Sequence, residues 1–278
     1  MPYSAEISRV NPTCFLFLID RSGSMAEPIG GDGKKKADMV ADSINRLLQG
    51  LTLRCSKSEG IRDYFHIGVI GYGAQVGFAL GGALTGNNIV PVSQVANNPL
   101  RIEQRTKKVD DGAGGLVDQS IKFPIWFEAA ADGMTPMSEA LNLAGQTVSD
   151  FIQRFPQCFP PIIMNITDGE ASDGDPEPIA AALQQMATPD GHILLFNLHV
   201  SASSTMPLQF PDSEAGLSDN FARRLFRMSS VLPPQALDTA RRAGVAVTAS
   251  SRGFVFNADP VSVVQFLEIG TRVGTNLR

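Results

Sequence analysis

The chain has 278 residues, 43% hydrophobic and 18% charged, with 23 basic and 28 acidic side chains for a net charge of −5. This balance excludes a disordered or membrane-embedded chain, and the acidic excess argues against a nucleic-acid partner, which calls for a basic face. With no run near the ~20 apolar residues of a membrane helix, no basic-then-apolar leader, and three widely spaced cysteines (Cys14, Cys55, Cys158) in neither a disulfide framework nor a CxxC pattern, the expectation is a cytoplasmic protein without membrane contact.

The first element is the unbroken apolar run Phe15-Leu16-Phe17-Leu18-Ile19, ending in Asp20-Arg21-Ser22-Gly23-Ser24-Met25. The run predicts a strand buried on both faces, as in parallel sheets covered by helices. Asp20, Ser22 and Ser24 then sit on the loop at its carboxyl end, where open α/β sheets bind ligands. One carboxylate and two hydroxyls suit a hard cation. The same residues also close a strand as an ordinary Asp/Ser/Gly turn, and from this stretch alone both readings stand.

Gly30-Gly31-Asp32-Gly33 reads as a flexible loop, and Lys34-Lys35-Lys36 as a solvated basic face opening a helix. Ala37, Val40, Ala41, Ile44, Leu47 and Leu48 have the one-face spacing of that helix, which is expected to end near Gly50. A second strand is expected over 64–70, running into a turn at Gly71-Tyr72-Gly73. Residues 75–131 hold short apolar pieces (76–80, 89–92, 121–127) between breaks such as Gly112-Ala113-Gly114-Gly115. These predict short, partly antiparallel strands and loops. Thr135-Pro136 predicts a helix start, with Thr as N-cap and Pro at the first helical position, followed by Met137, Ala140, Leu141, Ala144, Val148, Phe151 and Ile152 on one face.

Pro160-Pro161 breaks the chain before a buried strand over 162–167 that again ends in a carboxylate, Asp168. Asp175-Pro176 caps a helix expected to run to about 187. A strand over 192–200, a polar loop over 201–213, and helices over 219–228 and 234–243 follow. Short strands are expected over 245–248 and 254–256, and a final helix runs from Asp259-Pro260 to Gly270. Strands alternating with helices predict a doubly wound α/β fold with a mainly parallel sheet covered on both faces. The expected organisation is a single domain over 1–278 with an insertion at about 75–131.

In the strand order 3-2-1-4-5-6, strands 1 and 4 are neighbours across the switch point. Asp20 and Asp168 then face one crevice, and Thr135 arrives on the loop between them. All these donors are oxygens, which suits Mg²⁺ or Mn²⁺ rather than Zn²⁺, and two carboxylates balance a divalent charge.

Asp20-Arg21-Ser22-Gly23-Ser24 resembles the Asp-x-Ser-x-Ser signature of von Willebrand factor A domains. Thr135, in Asp132-Gly133-Met134-Thr135-Pro136-Met137, and Asp168, in Thr167-Asp168-Gly169, are similar to that family's other two motif positions. The resemblance covers nearly the whole chain. It implies a metal-ion-dependent adhesion site in which Ser22, Ser24 and Thr135 bind Mg²⁺ directly, while Asp20 and Asp168 act through water. A partner protein's Asp or Glu then completes the coordination, with no bond broken. Residues 126–137 look most like bacterial stand-alone members, including those associated with tellurium resistance. These are often encoded beside kinases and phosphatases, which makes such an enzyme the expected partner in a signalling or stress complex.

The competing enzyme reading is a Mg²⁺-dependent phosphotransferase of the haloacid-dehalogenase type with Asp20 as nucleophile. That chemistry wants an acid two residues later, where Ser22 stands. Nucleotide motifs fail: Gly33-Lys34 is followed by Lys35 rather than Ser or Thr, and Gly71-Tyr72-Gly73 lacks its third small residue. His66, His192 and His199 fall in strand patterns, where structural roles outweigh catalysis. Asp173 and Asp175 read as loop and capping residues, with a second cation site the minority reading. Arg21 and Met25 read equally as ligand contacts or packing residues, and Trp126 as core.

Overall fold

A computed structural model describes residues 3–29, 33–110, 115–202, 205–217 and 219–272. Its centre is strand β1 (Thr13–Asp20), buried along its whole length. On one side β1 pairs in parallel with β2 (Phe65–Tyr72), which pairs antiparallel with β3 (Val76–Phe78) and with the short β4 (Val90–Pro91). On the other side β1 pairs in parallel with β7 (Ile162–Thr167), then come β8 (Leu194–Val200) and β10 (Phe254–Ala258), with antiparallel β9 (Leu208–Gln209) at the edge. Leaving out β4 and β9, the order is the expected 3-2-1-4-5-6, so the β1–β7 boundary is the switch point.

The alternation of β1 divides the apolar interior in two. Phe15, Phe17 and Ile19 face the layer holding α1 (Lys36–Cys55), α6 (Pro234–Arg242) and α7 (Pro260–Thr271). Cys14, Leu16 and Leu18 face α3 (Met137–Arg154), α4 (Glu177–Gln185) and α5 (Asn220–Arg227). The fold is therefore a doubly wound α/β sheet with helices on both faces. The three cysteines are free and buried. Among the described residues, no helix is long and apolar enough to cross a membrane.

Several expectations change. Helix α1 runs past Gly50 to Cys55, because Leu51 and Cys55 continue its buried face. Residues 245–248 form no strand, since Val245 instead closes the end of α6 by donating its N–H to Ala240 O at 3.0 Å. The insertion is more regular than expected. It holds a short helix α2 (Val92–Asn97) and a hairpin of two ten-residue strands, β5 (Arg101–Asp110) and β6 (Leu116–Ile125). The hairpin is mostly exposed, but its base is pinned to α1. Asn45 donates to Phe127 O at 2.8 Å and accepts from Trp126 N at 2.8 Å and Phe127 N at 3.0 Å. Trp126 is a core residue whose indole N–H donates to Val95 O at 2.6 Å. The breaks read at 30–32 and 112–114 lie outside the described residues, as do 203 and 204 in the 201–213 loop.

Candidate metal centre

Four loops meet at the carboxyl end of the sheet and are knitted by backbone hydrogen bonds. Arg21 N donates to Tyr72 O at 2.7 Å, Asp132 N to Arg21 O at 2.7 Å, Ala74 N to Asp132 O at 2.9 Å, and Gly23 N to Gly133 O at 3.0 Å. So close an approach needs glycine. A Cβ on Gly133, whose φ is +84°, would stand 2.4 Å from Ala74 N, and one on Gly73 would stand 2.6 Å from Arg21 O.

Asp20 ends β1 and is 1% exposed. Its Oδ1 accepts from Ser22 N at 2.8 Å and its Oδ2 from Thr167 Oγ1 at 2.6 Å. Burial pushes its carboxyl above the ordinary range against these hydrogen bonds, and the Asp168 charge adds to the rise. Among the described residues, no Lys or Arg pairs with it. Ser22, 3% exposed, lies 3.0 Å from Ser24, Oγ to Oγ. Ser24 donates to Asp168 Oδ1 at 2.7 Å. Because Ser24 has one proton and gives it to Asp168, Ser22 donates to Ser24, and both hydroxyls keep lone pairs for another acceptor. The 3₁₀ turn Gly23–Ala26 holds Ser24 outward while burying Met25 completely, which makes Met25 a packing residue. The Arg21 guanidinium folds back over the Phe127 ring at 5.7 Å.

Thr135 enters the same end of the sheet. A Cβ on Gly169, next to Asp168, would lie 3.9 Å from Thr135 Oγ1. Thr135 is not the N-cap of α3, because that helix begins at Met137 with Pro136 in the cap position. The cap comes from another loop: the Asp173 carboxylate accepts from Ser138 N at 3.1 Å and Glu139 N at 2.8 Å. Its neighbour Ser172 accepts from Thr135 N at 3.0 Å and donates its own N–H to Thr135 O at 2.9 Å. Asp175 accepts from Glu177 N at 3.1 Å at the start of α4. Asp173 and Asp175 are thus both capping residues.

The structure therefore joins Asp20, Ser22, Ser24 and Asp168 in one hydrogen-bonded cluster, with Thr135 beside it. Sequence reasoning missed Thr167, Ser172 and, above all, Lys36. Expected on a solvated face, the Lys36 side chain is only 6% exposed and donates to Asp168 Oδ2 at 2.9 Å and Glu27 Oε2 at 2.7 Å. The signal was available: Lys36, Val40, Ile44 and Leu48 fall every fourth residue on the buried face of α1. The histidines have structural places. His66 packs against the Phe151 and Phe155 rings, His199 stacks on Phe256 at 4.8 Å, and burial pushes both down to about 4.

A buried polar chain runs under the site. Tyr72 Oη donates to Asn165 Oδ1 at 2.7 Å, Asn165 Nδ2 to Asn197 Oδ1 at 3.0 Å, Asn197 Nδ2 to Ser229 Oγ at 3.0 Å, and Ser229 Oγ to Leu225 O at 2.7 Å. Every member is satisfied, which ties β2, β7, β8 and α5 into one unit below the loops.

No protein-family profile matches the sequence, and neither does any curated protein. Among solved structures, the fold is similar to that of a von Willebrand factor type A protein from Catenulispora acidiphila, with 14% identity, TM-score 0.48, and coverage of 95% of this chain and 43% of that one. It is similar to the pilus adhesin SpaC from Lactobacillus rhamnosus GG at 11% identity and TM-score 0.49, covering 93% of this chain and 30% of that one. It is also similar to proximal thread matrix protein 1 from the mussel byssus, solved with a zinc-occupied MIDAS motif, at 11% identity and TM-score 0.40, covering 70% and 37%. The chain spans less than half the length of each.

Proposed function

We propose that the chain is a metal-ion-dependent protein-interaction module of the von Willebrand factor A type. The observation that carries this reading is Asp20, a carboxylate 1% exposed and without a cationic partner among the described residues, under two hydroxyls linked to a second buried carboxylate. A buried charge without a counter-charge is expensive, and a divalent cation supplies one. The donors are all oxygens, which fits Mg²⁺ or Mn²⁺. Ser22, Ser24 and Thr135 would hold the ion directly, with Asp20 and Asp168 in support. Bound there, the ion supplies an electrophilic position for a carboxylate from another protein, in the finer reading a kinase or phosphatase of a bacterial stress-response complex.

The arrangement favours docking over phosphoryl transfer. A nucleophilic Asp20 needs an oxygen exposed to substrate, yet the side chain ends a buried strand at 1% exposure, with Ser22 N and Thr167 Oγ1 holding its two oxygens in place. Titration with Mn²⁺, followed by calorimetry and by water-proton relaxation, tests the proposal. The expected result is one site, lost in Asp20→Ala, whose relaxation enhancement falls when a glutamate-containing peptide displaces metal-bound water. Unchanged Mn²⁺ binding in Asp20→Ala refutes the assignment.

A further inference from the structure

Lys36 is placed against two local rules. It is the first residue of α1, where the helix dipole disfavours a cation, and its ammonium is nearly buried. Residues that break such rules in a well-folded chain mark functional places. The ammonium bridges two unlike carboxylates. Asp168 has a side chain 0% exposed and turns its other oxygen to Ser24, whereas Glu27 is 61% exposed and belongs to no other ion pair among the described residues. Lys36 is also anchored from behind, with its backbone N–H donating to Glu27 O at 3.0 Å. One carboxylate thus belongs to the candidate metal centre and the other lies outside it, and one ammonium holds both.

We propose that Lys36 is a tethered cation that competes with the divalent ion for Asp168, with Glu27 as the carboxylate that retains the ammonium when the ion is bound. This rests on the metal-site reading given above. Its consequence is a deliberately weakened site. Asp20 and Asp168 together carry two negative charges, and Lys36 cancels one of them. The ion is then held less tightly, but it keeps more of its own positive charge and so calls more strongly for an outside carboxylate. Through Asp168, the ammonium lies within about 8 Å of Ser24 Oγ. One charge acting on a divalent ion across roughly 10 Å, in a partly buried site, changes affinity by about ten-fold or more.

Two variants separate this role from a structural one because their effects have opposite signs. Lys36→Gln keeps a hydrogen-bond donor and removes the charge, and Mn²⁺ affinity should rise about ten-fold. Glu27→Gln removes the exposed holder and leaves the ammonium to Asp168 alone, so affinity should fall about two- to three-fold. Lys36→Arg keeps the charge and should stay near wild type. The experiment is calorimetric titration of each full chain with Mn²⁺, with circular dichroism confirming the fold. Glu27 is exposed, so its variant tests the idea even if Lys36→Gln unfolds. Wild-type binding with unchanged or weaker affinity in Lys36→Gln, or unchanged or tighter affinity in Glu27→Gln, overturns the role of Lys36 and leaves the metal site standing. No binding in wild type but binding in Lys36→Gln supports the competition. No binding in either overturns the metal site and this inference together.

Discussion

Asp173 caps a helix that belongs to a different part of the chain, and removing it gives a prediction that reads both stability and site geometry. In Asp173→Ala, α3 loses the acceptor for Ser138 N and Glu139 N. The first helical N–H groups then have no partner but water, and a negative charge is lost from the positive end of an 18-residue helix. An N-cap deletion costs ~1 kcal/mol and the second bond and the dipole add to it, so a loss of about 2 kcal/mol is expected. Unfolding a chain of 278 residues carries an entropy of about 0.6 kcal/mol per kelvin near the midpoint, so the thermal midpoint should fall by about 3 °C. Asp173→Asn keeps a neutral acceptor and should lose about half as much. The same loop holds Thr135 through Ser172, so Mn²⁺ affinity should weaken several-fold alongside the midpoint. Differential scanning calorimetry and Mn²⁺ titration of both variants read the two effects. A midpoint within 1 °C of wild type would show that α3 does not depend on this cap. A full stability loss with unchanged affinity would show that Thr135 is positioned without it.

Three further outcomes follow from the geometry. In Gly133→Ala, a left-handed backbone and a Cβ 2.4 Å from Ala74 N should cost about 3 kcal/mol or more, so a melt within 1 °C of wild type contradicts the tight loop crossing. Adding Mg²⁺ at about one hundred times its Kd should stabilise wild type by about 2.7 kcal/mol over EDTA, roughly 4–5 °C, and Ser24→Ala should lose most of this gain. His66 is held neutral, its folded value pushed down to about 4 chiefly by burial, with Asp63 opposing and Arg154 adding to the fall. The unfolded chain takes up that proton near 6.5, so the His66 contribution is complete above pH 6.5 and shrinks as pH falls to about 4, by up to about 3 kcal/mol. Chemical denaturation across that range should show the loss in wild type and a flatter profile in His66→Phe, and parallel profiles would rule His66 out as its source.

The sheet was legible because burial on both faces leaves an unmistakable pattern. The runs at 15–19 and 162–166 contain only one polar residue, Asn165; the first stops at Asp20 and the second at Thr167-Asp168. Asn165 did not mislead because its partners come from other strands of the sheet, Asn197 on the neighbouring β8 and Tyr72 on β2 beyond β1, and keep it satisfied inside the sheet. The cluster of Asp20, Ser22, Ser24 and Asp168 was legible for a related reason, since strand order alone brings the ends of β1 and β7 side by side. The hairpin was less legible. Its strands are mostly exposed and polar, so no alternation of apolar with polar residues distinguishes them from a loop, and among the described residues its buried apolar side chains are confined to the base, at Phe123, Ile125, Trp126 and Phe127.

What sequence pattern could not supply was partnership across distant loops. Thr135-Pro136 has the composition of a helix start, and a local rule assigns the cap to Thr135; the helix is instead capped by a carboxylate 38 positions downstream, which releases the Thr135 hydroxyl for other work. The same kind of exchange explains Lys36. Read along the chain it is the third of three lysines, but read in space it is the counter-charge of Asp168, whereas Asp20 beside it has none among the described residues. The centre thus carries one compensated and one uncompensated buried carboxylate. A site with both charges paired internally would have little use for a divalent ion, and one with neither paired would hold the ion so tightly that no outside carboxylate would be needed. The intermediate arrangement suits an ion that is recruited and then shared with a partner.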